Sequence, residues 1–72
     1  MEQLYKITEE FATLISGKSC FKDNVFYPRQ DINGEWFISK EEVSQCTNWR
    51  YMEVIKTLKL SEFVPQKIEI EK

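Results

Sequence analysis

The chain has 72 residues and a formal charge of −2, enough for one domain with a small core and a net field that opposes docking on a phosphate backbone. It contains no histidine and only two cysteines, Cys20 and Cys46. Ser-His and Cys-His nucleophiles and a zinc site of three or four soft ligands are therefore excluded, and no cofactor or enzymatic activity is expected. Ten aromatic residues, five Phe, three Tyr and two Trp, supply enough bulky area to close a core without staples, with some left over for the surface.

From Glu2 to Ser16 the apolar residues Leu4, Ile7, Phe11, Leu14 and Ile15 recur at helical spacing, which predicts an amphipathic N-terminal helix. Met1 leads straight into this pattern with no apolar leader, and no run approaches the length of a membrane span, so a cytoplasmic location is expected. Gly17 stands where a left-handed helix cap belongs. Ser16-Gly17-Lys18-Ser19 resembles the end of a phosphate loop, but Ala12 occupies the position of the upstream glycine, and nucleotide binding is not expected. Lys18, Lys22 and Arg29 stand against Asp23 alone and are the candidate phosphate contacts. The wide spacing of the cysteines suggests buried apolar residues and no disulfide framework.

Asn33-Gly34 between residues 21–29 and 35–39 predicts a β-hairpin with a two-residue turn. Ile32 would then lie opposite Glu35, Asp31 opposite Trp36, Gln30 opposite Phe37 and Arg29 opposite Ile38. One face would hold Val25, Tyr27, Trp36 and Ile38, and the other Phe26, Ile32 and Phe37. If the helices cover the first, the second is a candidate exposed patch.

Ser39 followed by Glu42 reads as a capping box that opens a helix over residues 40–46. Thr47 and Asn48 break it, and a second helix runs from Trp49 to about Leu60 with a buried stripe of Tyr51, Val54, Ile55 and Leu58. On that wheel Trp49 falls opposite the stripe, facing solvent. After Pro65, residues 67–71 alternate charge and isoleucine as a half-buried third strand does. The expected fold is a small single α+β domain in the order helix, hairpin, two helices, C-terminal strand, with a three-stranded antiparallel sheet.

Tyr27-Pro28-Arg29, Asn33 to Phe37 and Ser39 to Val43, roughly a quarter of the chain, resemble the wing and following helix of excisionases and of mercury-resistance type regulators. That resemblance implies a helix-turn-helix ahead of the wing, with a recognition helix in the major groove. Ile7 to Ser19 would supply its first helix, and only Cys20 to Phe26 remains for the second. The residues favour a different function: a non-enzymatic adaptor or inhibitor that binds a protein partner, or a second copy of itself, through Trp49, Phe26, Phe37 and Ile32. A DNA-binding regulator that places Lys18, Lys22 and Arg29 on phosphates is the alternative.

Overall fold

The computed structural model describes residues 2–65. It is an α+β fold of β1 (Glu2–Ile7), α1 (Glu9–Ile15), β2 (Ser19–Phe21), β3 (Asn24–Val25), β4 (Arg29–Gln30), β5 (Trp36–Ile38), α2 (Lys40–Gln45), α3 (Trp49–Lys56) and β6 (Leu60–Phe63). A four-stranded antiparallel sheet has the order β4-β5-β1-β6, and β2 and β3 form a separate ribbon. Four strands therefore stand where three were expected. The strand predicted over residues 67–71 lies outside the described residues.

The largest departure is at the N-terminus, where the predicted helix is half strand. Leu4 and Ile7 are both buried, yet they lie on opposite faces of β1, because residues an odd number apart point to opposite sides of a strand. A central strand covered on both sides mimics helical spacing. The helix starts only at Thr8, whose hydroxyl accepts a hydrogen bond from the Phe11 N–H at 3.1 Å, with Glu9 and Glu10 in the first turn, where the positive end of the helix dipole favours acids. Gly17 has φ +79, the left-handed conformation expected just beyond the helix end.

Between β4 and β5 the loop is one residue longer than Asn33-Gly34 predicts. The Asp31 N–H donates to Glu35 O at 2.9 Å and the Gly34 N–H to Asp31 O at 3.0 Å, so three residues are enclosed and Gly34, at φ +84, supplies the left-handed position of such loops. The buried Asp31 carboxylate fixes this choice, its Oδ1 accepting from the N–H groups of Asn33 and Glu35, both at 3.0 Å. Arg29 consequently pairs with Phe37 and Gln30 with Trp36, a one-residue shift from the predicted register.

The sheet is covered on both faces. On one, Ile7 and Ile38 join Phe11, Ile15 and Ile55 of the helices, and the Tyr51 ring meets those of Phe11 and Phe26 edge-on at 6.1 and 6.0 Å. On the other, Leu4, Phe37 and Phe63 form a second cluster, in which the Phe37 and Phe63 rings stand edge to face at 5.2 Å. The Ile32 N–H donates to Val64 O at 2.9 Å, joining the loop after β4 to the end of β6 and so linking the two outer strands of the sheet.

The proposed patch of Phe26, Ile32 and Phe37 does not exist as a surface. Phe26 and Phe37 are each 1% exposed and belong to different clusters. Phe26 leaves the predicted ribbon to bridge Ser16, and Phe37 follows the shifted register into the second cluster.

Candidate protein interface

Residues 46–48 link α2 to α3, and hydrogen bonds hold this link against β2. The Thr47 N–H donates to Cys20 O at 3.0 Å. Asn48 acts in two directions: its Oδ1 accepts from the Arg50 N–H at 3.1 Å, capping α3, and its Nδ2 donates to Ser19 O at 2.9 Å. The first residue of α3 is thus set on a fixed backbone, and that residue is Trp49, 77% exposed. The Arg50 guanidinium carbon lies 5.8 Å from the centre of its ring, within reach of a cation–π attraction.

The outer face of α3 continues from Trp49 and Arg50 through Glu53 to Val54, all exposed. Val54 was expected in the buried stripe. The helix stops at Lys56, short of the predicted Leu60, and its buried residues are Tyr51 and Ile55, with Met52 partly buried against the same core. Beyond Val54 opens a groove of about 770 Å³ among α3, β1 and β5, whose apolar lining includes Ile7, Phe11, Trp36 and Leu58. On its margin the Lys6 ammonium and the Glu35 carboxylate pair at 2.9 Å.

Ile32 is half exposed at the β4–β5 loop, apart from α3. Tyr27, expected on the hairpin face that the helices cover, is instead 75% exposed. Its N–H donates to Glu42 Oε2 at 2.6 Å, and Pro28 restricts it to extended backbone. The Tyr-Pro pair signalled the extended backbone, but nothing local in the sequence signalled that the ring faces outward.

Lys18 precedes β2 and Lys22 follows it, so the two occupy opposite ends of a three-residue strand. Lys22 sits in the turn of the ribbon at φ 55. Arg29 lies in the other sheet with its guanidinium carbon 4.6 Å from the centre of the Phe63 ring, and the depression it lines also contains Asp23, Glu41 and Glu42. The local excess of basic residues in the sequence does not become a basic surface around Arg29. Residues 20–26, which the resemblance to excisionases requires as a recognition helix, are the β2–β3 ribbon and its continuation to Phe26.

Cys20 and Cys46 are buried in the main core as free thiols. Burial, the neighbouring Cys46 and the Glu42 carboxylate push the Cys20 thiol up to about 11, so it stays protonated at neutral pH. Among the described residues no group of three or more His, Cys, Asp or Glu is placed to hold a metal ion, and no helix is long and apolar enough to cross a membrane.

Comparison with protein-family models, with curated proteins and with solved structures gives no match. The functional reading rests on the geometry alone.

Proposed function

We propose that the chain is a small protein-binding module, an adaptor or inhibitor, whose contact surface is the outer face of α3. The observation that carries this reading is Trp49: the largest side chain type is 77% exposed on a backbone fixed by Asn48. Tryptophan and arginine are the residue types most enriched among those that dominate binding energy, and a pre-positioned anchor loses little freedom on association. Among the described residues Arg50 has no carboxylate partner, so the occupant that fits is a protein surface with an apolar pocket for the indole and an acidic group for the guanidinium. The groove beside Val54 gives such a partner a second point of attachment. This replaces the mixed hairpin patch with a single helical face, and neither Phe26 nor Phe37 belongs to it.

The experiment is affinity capture from the native host, quantified by mass spectrometry, with the wild-type chain and Trp49→Ala side by side, and sedimentation of each at micromolar concentration. A hot-spot tryptophan contributes about 2 kcal/mol or more, so at least one captured protein, or the self-association, weakens by roughly thirtyfold. Trp49→Ala stays folded because the indole covers little of the core. A folded Trp49→Ala variant that keeps every specific partner and the same oligomeric state refutes the proposal.

A further inference from the structure

The fold brings together two cysteines that stand far apart in sequence. Cys20 lies in β2 and Cys46 in the link between α2 and α3, and both belong to one cluster of buried residues. The Thr47 nitrogen, whose N–H is bonded to Cys20 O at 3.0 Å, is two covalent bonds from the Cys46 Cα. Adding the covalent distances on either side keeps the two Cα atoms within about 8 Å of each other. Disulfides span Cα separations of about 4.4 to 6.8 Å, so closure needs at most a small approach of the link to β2. Cys46 is also among the neighbours that push the Cys20 thiol up, as a side chain lying close beside it does. The Cys20 Sγ further donates to Glu42 O at 3.3 Å, which points it toward α2 and the link.

We infer that Cys20 and Cys46 are a modification site, a dithiol that the folded chain closes into an intramolecular disulfide when it meets a small-molecule disulfide such as oxidised glutathione. One protein thiolate attacks a glutathione sulfur and expels a glutathione thiolate. The second protein thiolate attacks the protein sulfur of the mixed disulfide and expels the other. The two thiol protons pass to the two leaving thiolates, the dithiol loses two electrons and oxidised glutathione gains them. At 3% and 7% exposure the sulfurs are reached only when the link lifts from β2, so closure is slow. The bond then locks the link in place.

The test compares closure in the folded chain with closure in the chain unfolded by urea. Each is equilibrated in glutathione redox buffers, quenched with acid and read by intact mass and peptide mapping. The expected product is a monomer lighter by two hydrogens, with the Cys20 and Cys46 peptides joined, and a closure constant about tenfold or more higher in the folded chain. By linkage the oxidised chain then unfolds at a higher urea concentration than the reduced one. Cys46→Ser, unable to close, takes up at most one glutathionyl group. A folded-to-unfolded ratio at or below one, two glutathionyl adducts on the folded wild-type chain, or a lower unfolding midpoint after oxidation overturns the inference.

Discussion

At the scale of single residues, Asp31 decides more than its position beside a familiar turn suggests. Asn33-Gly34 favours a two-residue turn, but a carboxylate two residues ahead of Asn33 can accept hydrogen bonds from the loop's own N–H groups, and Asp31 takes both Asn33 and Glu35. Removing it leaves two N–H donors of the loop without this acceptor, and hydrogen bonds to a charged group are worth about 1.5 to 3 kcal/mol each to stability. Asp31→Ala is expected to lower the free energy of unfolding by about 2 to 3 kcal/mol, read from the urea midpoint at constant slope. Asp31→Asn retains an acceptor oxygen and is expected to lose less than half of that. The register error in the sequence reading has the same origin. Whether a short polar side chain folds back on its own loop depends on where the flanking strands pair, and neither Phe37 nor Trp36 announces its side of the sheet when both sides are covered.

At the scale of elements, cap chemistry was legible and strand assignment was not. Ser39 and Glu42 form the predicted capping box: the Glu42 N–H donates to Ser39 Oγ at 3.1 Å, and Glu42 Oε1 accepts from the Ser39 N–H at 2.9 Å. The helix boundaries at Trp49 and near Gln45 followed from Thr47 and Asn48. Residues 2–7 were misread because Leu4 and Ile7 satisfy a helical template, whereas Thr8-Glu9-Glu10, a cap followed by two acids, marked the true start. Sequence also could not show that Glu42 has a second task, its Oε2 accepting from the Tyr27 N–H, which ties α2 to the segment between β3 and β4. Glu42→Gln must turn its amide toward one of these donors. The expected loss is about 1 to 2 kcal/mol, larger than the loss of about 1 kcal/mol for Ser39→Ala, which removes the cap alone. Equal losses in thermal or urea unfolding would mean that the Tyr27 contact adds nothing.

Across the whole molecule, the same uncertainty governed the candidate site: the number of aromatic residues exceeds what one core needs, but sequence does not say which are spare. A second cluster takes Phe37 and Phe63, the main core takes Phe11, Phe26 and Tyr51, and Trp49 and Tyr27 stay outside. Trp49 was legible because it opposes a helical stripe, a local pattern. Phe37 was not, because its burial depends on β1 and β6, which are far away in sequence. Two substitutions separate these roles. Phe37→Ala empties the middle of a cluster that joins β5 to β1 and β6, and losing a buried phenylalanine costs about 3 to 5 kcal/mol. That is comparable with the entire stability of so short a chain, so the variant is expected to be largely unfolded by circular dichroism at 37 °C. In milder conditions its β6 amides are expected to exchange hydrogen before those of α3, since Leu4, Phe37 and Phe63 hold that strand while Tyr51 and Ile55 hold the helix in the other cluster. Trp49→Ala, by contrast, is expected to change stability by no more than about 0.5 kcal/mol. A stable Phe37→Ala variant with unaltered exchange in β6 would mean that the second face of the sheet contributes no core. A destabilised Trp49→Ala variant would mean that the indole holds the fold together and is not free for a partner.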